Sequence, residues 1–191
     1  GRYAGAVMLS DLPKQDAAAA IESLRRLGIS NIALVSGDRR QPVGKIASVL
    51  KIAESFGELL PEDKVRCIDS LKNQGWGEVA FVGDGMNDAP VLALSDVGIA
   101  MGAHGSHVAI ESADVVIQTD SPLKVAEAVR IGRFTRRVVL ENIVFAIGVK
   151  LAVILAGACG YVSLWGAVFA DVGVSLIAVM NSLRIMARNQ G

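Results

Sequence analysis

Apolar residues recur along the first two thirds of the chain in two rhythms, and each rhythm predicts its own kind of element. Ala6-Val-Met-Leu9 reads as a short buried strand. Asp11-Leu-Pro13 then opens a helix, with Pro13 expected in the first turn, where a missing N–H costs nothing. Ala17, Ala20, Ile21, Leu24 and Leu27 follow at helical spacing until Gly28. Asn31 to Val35 is the next strand, and it runs into Ser36-Gly37-Asp38. Ile46, Val49, Leu50 and Ala53 place a second helix over Pro42 to Phe56, stopped by Gly57. A short strand at Leu59 and Leu60 precedes a third helix, from Pro61 to near Gly75. Strands at Val79–Val82, Val97–Ala100 and Val115–Ile117 complete the set. Strands alternating with helices of this length predict an α/β fold: a parallel, doubly wound sheet with helices on both faces.

The rhythm changes after Glu141. From Asn142 to Leu183 only Lys150 and Asp171 are charged. Asn142–Gly160 and Leu164–Leu183 are each close to the roughly 20 residues needed to cross a bilayer core. The expected organisation is a soluble domain over 1–127, a basic juxtamembrane helix over 128–141 and a transmembrane hairpin over 142–188. Arg130, Arg133, Arg136 and Arg137 precede the first span, and Arg184 and Arg188 follow the second. The turn between carries no basic residue, so the positive-inside rule places both ends, and the soluble part, in the cytoplasm.

Lys150 lies ten residues before Gly160, and Asp171 eight after Ser163. At about 1.5 Å per residue both sit roughly 12–15 Å from the turn, near the midplane. A charge there costs on the order of 2.5–3.5 kcal/mol, so two of opposite sign at equal depth predict a pair and a candidate functional site.

Composition narrows the field further. The 19 basic and 19 acidic side chains cancel, leaving no nucleic-acid footprint. Cys67 and Cys159 have neither disulfide-framework nor CxxC spacing and read as reduced, packed thiols. The chain opens on Gly1 rather than Met, as expected of a fragment and equally of a trimmed chain.

Ligands of such sheets bind beyond the carboxyl ends of the strands. Asp11, Ser36-Gly37-Asp38 and Gly83-Asp84-Gly85 all fall at such ends, so three strand exits converge on one site. In Gly83-Asp84-Gly85-Met86-Asn87-Asp88-Ala89-Pro90, two carboxylates four residues apart suit Mg²⁺ beside a phosphate. Ser36 offers a hydroxyl, and Lys64 a point charge, for the same phosphate.

These motifs resemble the phosphorylation domain of the P-type ATPases, a branch of the haloacid-dehalogenase-like fold. Ser36-Gly37-Asp38 is similar to the family's Thr-Gly-Asp, and Pro61-Glu-Asp-Lys64 to its Pro-x-x-Lys. Gly83 to Pro90 is similar to its Gly-Asp-Gly-x-Asn-Asp-x-Pro, and Asp11-Leu-Pro-Lys14 to its Asp-x-x-Arg/Lys hinge segment. Gly102 to Asp114 resembles a further family segment, with Ser106-His107 where Thr-Asp is usual. His104 and His107 lack an obvious third metal ligand and read as part of a loop and helix start.

The resemblance implies that Asp84 ligates Mg²⁺, supported by Asp88 and Asn87, and that Ser36 and Lys64 hold the transferred phosphoryl group. It implies ATP as energy source and an aspartyl-phosphate intermediate on an Asp-Lys-Thr-Gly-Thr motif that does not occur in this sequence. The fragment alone is therefore expected to be inactive. Its partners would be the pump's actuator, nucleotide-binding domain and earlier transmembrane helices, in a membrane expected to be bacterial.

Lys150, Asp171-Val-Gly-Val-Ser-Leu and Asn181-Ser-Leu-Arg184 resemble the heavy-metal subgroup that exports Zn²⁺, Cd²⁺ and Pb²⁺. Asp171 would ligate the cation, with Lys150 as its counter-ion. The copper subgroup's Asn-Tyr and Met-Ser-Ser and the cobalt type's His-Glu-Gly-Gly-Thr do not occur in the hairpin. A carboxylate also suits a divalent cation better than Cu⁺. Two other readings stand beside a pump segment: a membrane-tethered dehalogenase-like phosphatase, with Asp11 as its candidate nucleophile, and a non-catalytic pump remnant.

Overall fold

The computed structural model describes residues 12–83, 86–102 and 110–188. The expected strand at 6–9 lies outside these, as do Asp11, Asp84, Gly85, His104 and His107. The chain divides into two compact units, 1–126 and 127–191.

In the first unit, α1 (Ala17–Arg26) leads to β1 (Ala33–Val35), α2 (Arg40–Val49) and β2 (Glu54–Phe56). Then come α3 (Pro61–Leu71), a wider turn over Lys72–Trp76, β3 (Ala80–Gly83) and a 3₁₀ turn at Met86–Asp88. After these lie α4 (Ala89–Leu94), β4 (Val97–Met101) and β5 (Val115–Ile117). Among the described residues the strands form two parallel pieces, β1–β2 and β3–β4–β5. Ala33 pairs with Glu54, Ala80 with Val97, and Ile99 with Val115.

Strand β4 shows why helices cover both faces. Ala100 points into a core with Ile68 and Leu71 of α3, Phe81 of β3 and Val91 and Leu92 of α4. Its neighbours Ile99 and Met101 join Ile117 and Val125 in a second core, against which Leu24 of α1 packs. Successive side chains of a strand point to opposite faces, so one strand serves two helical layers. Ala33, Val35 and Phe56 also pack on the first core, which joins the β1–β2 piece to it.

Four expectations are corrected. Helix α1 starts at Ala17, so Pro13 stands before the helix rather than in its first turn. Asp16 at the N-cap makes no side-chain capping bond. Its carboxylate instead accepts from the Ser121 hydroxyl and, at 3.3 Å, from the Leu123 N–H. The Ser121 bond holds the Asp16 carboxyl below the usual carboxylate range.

The second helix stops at Val49 rather than Phe56. Lys51 takes φ +56°, the Ile52 N–H bonds to Ala47 O at 2.8 Å, and the Lys51 N–H to Ser48 O at 3.1 Å. This is a Schellman stop with lysine where glycine is usual, so the sequence carries no stop signal there. The freed chain pairs Glu54–Phe56 with β1, and Leu59–Leu60, expected as a strand, is irregular. Leu60 is the N-cap of α3, where Asp63 accepts its N–H at 3.3 Å and Pro61 opens the first turn.

Carboxylates also brace the strand ends. Asp96 accepts from the Val79 N–H at 2.8 Å and from Lys72 Nζ at 3.0 Å. Those two bonds, Val79 first, hold its carboxyl below the usual range. Asp114 accepts from the Gly98 N–H at 2.8 Å. Lys14 pairs with Asp120. Cys67 is a half-buried free thiol whose pKa burial raises. Cys159, expected to be packed, is exposed next to the hairpin turn.

One helix, α5 (Leu123–Ala158), covers the expected basic segment and first span without interruption, and α6 is Leu164–Arg188. Both are long and apolar enough to cross a membrane. The turn between them is built by short-range bonds. Gly160 takes φ +79°, its N–H bonds to Gly157 O at 2.9 Å, and the Tyr161 N–H to Ala156 O at 2.8 Å. Glycine at C′ in this left-handed conformation ends the helix without strain. The Ser163 hydroxyl then accepts the Gly166 N–H at 3.3 Å and caps α6.

Leu92, 1% exposed in the first core, has no room to be replaced by water. Leu92→Ala is expected to cost about 2–5 kcal/mol, measured as a fall in the denaturant midpoint of the first unit; an unchanged midpoint would contradict this packing.

Candidate functional site

At the end of β3, one lysine and one aspartate meet away from water. Proline at the helix start and the Asp63 cap set the first turn of α3, from which Lys64 projects. Lys64 Nζ lies 2.6 Å from Asp88 Oδ1, with the two side chains 14% and 13% exposed. Asp88 is the last residue of the 3₁₀ turn that leads into α4. Gly83 makes the approach possible: a Cβ there would stand 2.9 Å from both Asp88 Oδ2 and Phe81 Cε1. Any larger residue would push the Asp88 carboxylate off its lysine.

Ser36 follows β1 and extends its ladder, its N–H bonding to Phe56 O at 2.9 Å. Its hydroxyl donates to Asp38 Oδ2 at 3.0 Å and accepts the Asp38 N–H at 3.1 Å, closing a tight polar loop. The Leu59 N–H bonds back to Ser36 O, and the Glu58 N–H to Asp38 O at 2.6 Å. A Cβ on Gly37 would lie 3.3 Å from Leu59 O, so the loop packs closely on the chain after β2.

Lys64 and Asp88 are thus brought together, as are Ser36, Gly37 and Asp38. Among the described residues no hydrogen bond joins the two groups, and Asn87 is exposed. Asp84, the expected Mg²⁺ ligand, lies outside the described residues. No cluster of three or more metal-ligating side chains occurs among the described residues. Asp88 nevertheless fits a Mg²⁺ site. Its Oδ2 is not taken by Lys64, and Mg²⁺ needs only one or two carboxylates beside phosphate and water.

In the second unit, Lys150 Nζ of α5 and Asp171 Oδ1 of α6 stand 3.2 Å apart. Their side chains are 64% and 60% exposed, so a metal or a further helix has access to the carboxylate. The Ser175 hydroxyl donates to the Asp171 carbonyl at 3.0 Å, not to its carboxylate.

A group that sequence reading saw only as the motif Asn181-Ser-Leu-Arg184, without Asn142, sits farther down the hairpin. Asn142 Nδ2 donates to Ala178 O at 3.2 Å and to Ser182 Oγ at 3.1 Å. Asn181 Nδ2 donates to Asn142 Oδ1 at 2.9 Å, and Arg184 donates to Asn181 Oδ1 at 2.9 Å. Arg184 also faces Glu141 at 3.8 Å. An amide at the border of an apolar run was the available signal, because polar side chains join helices where water is absent. This latch lies roughly 12–15 Å along the helices from the Lys150–Asp171 pair and sets their register.

Comparison with known proteins adds to this geometry. A family model described as haloacid dehalogenase-like hydrolase matches residues 1–96, and a second of the same description matches 64–129. Over 97% of its length the chain is 48% identical to a cadmium, zinc and cobalt-transporting ATPase of Bacillus subtilis, covering 27% of that protein. Its identity is also 48%, over 97% of the chain and 26% of the relative, to a zinc-transporting ATPase of Synechocystis. Among solved structures, a zinc-transporting PIB-type ATPase in its E2·Pi state matches with a TM-score of 0.84 and 35% identity, over 92% of this chain and 28% of that one. The chain therefore spans about a quarter of the length of the curated relatives it matches.

Loss of the amide latch is measurable by itself. Asn142→Leu is expected to weaken α5–α6 association by about 0.6–2 kcal/mol, read as a lower unfolding midpoint in mixed detergent micelles; an unshifted midpoint would remove the latch from the account.

Proposed function

The chain belongs to the haloacid dehalogenase-like hydrolases, and from that premise we propose that it is the phosphorylation and membrane-hairpin segment of an ATP-driven pump exporting Zn²⁺, Cd²⁺ or Pb²⁺. The observation that carries the reading is the Lys150–Asp171 pair, 3.2 Å apart on two helices apolar enough to span a bilayer. A lone carboxylate at mid-membrane costs on the order of 2.5–3.5 kcal/mol. A counter-charge on the neighbouring helix offsets that cost while no cation is bound. When a divalent cation arrives, Asp171 turns its charge to the metal and Lys150 no longer needs it. The similar proteins are named as cadmium- and zinc-transporting ATPases, which supports Cd²⁺ and Zn²⁺ within this cargo. The Bacillus subtilis relative is named for cobalt as well, which puts Co²⁺ among the cations to assay.

At the strand ends, Ser36 and Lys64 hold the phosphoryl group that ATP transfers to an aspartate outside this chain. The 2.6 Å bond to Asp88 holds the Lys64 ammonium at the end of β3 rather than in solvent. Asp84, with Asp88 and Asn87 in support, holds Mg²⁺, which when bound neutralises charge on the transferring phosphoryl oxygens. Gly37 and Asp38 shape the loop that carries the Ser36 hydroxyl. The actuator, the nucleotide-binding domain and the earlier transmembrane helices of the pump complete both sites. The soluble unit faces the cytoplasm, where ATP is available.

The test uses the full-length protein that contains this chain, reconstituted in vesicles. ATP hydrolysis is expected to rise with Zn²⁺ or Cd²⁺, and the ranking among Zn²⁺, Cd²⁺, Pb²⁺ and Co²⁺ names the cargo. Asp171→Ala should abolish that stimulation; metal-dependent turnover persisting in this variant would sink the transport site. Asp84→Asn is expected to block phosphorylation from labelled ATP with metal present, and a normal phosphoenzyme would take Asp84 out of the Mg²⁺ site.

A further inference from the structure

Before its apolar run, α5 carries a basic stripe that neither pair described above uses. Arg133, Arg136, Arg137, Leu140, Glu141, Val144 and Phe145, all of α5 itself, line one shallow, open groove along the helix. Arg133, Arg137, Leu140 and Val144 recur at helical spacing and form a single face. Asn142, whose amide is committed to α6, projects from the opposite side of the same helix. The face of Arg133, Arg137, Leu140 and Val144 therefore turns away from the hairpin partner, with Leu140 and Val144 exposed on it, whereas Glu141 and Phe145 stand at its edge toward α6.

The groove has two chemically different ends. Arg136 and Arg137 stand about 8 Å along the axis before Asn142, where the apolar run begins. The polar headgroup layer on each side of a bilayer is about 5–8 Å deep. The guanidinium groups thus reach headgroup level, while Leu140 and Val144 lead toward the acyl chains. The acid in the groove, Glu141, lies 3.8 Å from Arg184 and is partly neutralised there. Arginine forks suit phosphate oxygens geometrically.

We propose that this groove binds one anionic phospholipid, its phosphate on Arg136 and Arg137 with Arg133 beside them, and its acyl chain along Leu140 and Val144. The proposal rests on the reading that the hairpin spans the bilayer. The occupant is a lipid because cationic and apolar surface succeed each other along one helix face in the order, and at the depth, of a phospholipid's own headgroup and tail. Juxtamembrane arginines at an anionic leaflet each add about fivefold in affinity.

The experiment is native mass spectrometry of the full-length protein, extracted in mild detergent from vesicles of equal phosphatidylglycerol and phosphatidylcholine with matched acyl chains. The wild type is expected to retain phosphatidylglycerol over phosphatidylcholine by about tenfold or more, given two engaged arginines. Arg136→Gln with Arg137→Gln should bring that ratio down about tenfold, whereas Arg136→Lys with Arg137→Lys should keep most of it. Raising salt during extraction should lower the wild-type ratio, a readout that needs no variant and stands if the glutamine form does not fold. An unchanged ratio in the glutamine form, or a wild-type ratio indifferent to salt, overturns the site. Equal retention of both lipids by the wild type, or retention of neither, also overturns the site. Neither result bears on whether the hairpin spans the bilayer, which the metal-stimulated ATP hydrolysis of the reconstituted protein tests separately.

Discussion

Charge held away from water must be paired, and both units of this protein are arranged around that requirement. An ion pair removed from solvent gains less from its own attraction than it loses in hydration unless its geometry is good. Lys64 and Asp88 meet the condition at 2.6 Å, with about six sevenths of each side chain covered. Lys150 and Asp171 meet it at 3.2 Å on helices whose other residues, from Asn142 to Leu183, carry no charge. Removing Lys64 or Asp88 leaves its partner covered and without a counter-charge. Lys150 and Asp171 are open on the hairpin itself, and the bilayer we propose around them imposes the same penalty. We propose that this sensitivity lets a phosphate or a divalent cation take over one partner of either pair.

Around the first pair, several acidic side chains act as backbone braces rather than as surface charge. Asp96 holds the Val79 N–H at the start of β3, Asp114 holds the Gly98 N–H on β4, and Asp16 takes the Leu123 N–H at the start of α5. Each spans a long stretch of sequence to satisfy a donor that no strand partner reaches. The strand ends are thereby positioned without the loops themselves needing a core. Gly83 has the complementary role: its missing side chain leaves the space that the Asp88 carboxylate occupies.

The hairpin is built on the same economy of polar contacts. Its turn is closed by Gly160, Tyr161 and Ser163 through backbone bonds that depend on neighbours only a few residues away. At its other end Asn142, Asn181, Ser182 and Arg184 connect the two helices, so the register is set at both ends and the charged pair lies between. The arginine groove on the far side of α5 adds a contact to the bilayer itself, as we propose, and completes a helix that has a different task on each face.

Much of this was readable from the sequence, because the signals are local. The 3.6 and 2.0 periodicities give parallel strands alternating with helices, the gap in charge after Glu141 gives the two long apolar helices, and equal spacing from the turn gives the Lys150–Asp171 pair. Motif spacing singled out Lys64 and Asp88, though not that they bond to each other. Tertiary structure alone decided where α2 stops, since Lys51 adopts a left-handed conformation that side-chain type does not announce and β1 then captures Glu54–Phe56 as a strand. It alone decided that Asp16 serves Ser121 and Leu123 rather than its own helix, and that Asn142 is the centre of a latch. The reason is common to all three: local sequence states which bonds a residue is able to make, and only packing between distant segments determines which of them it makes.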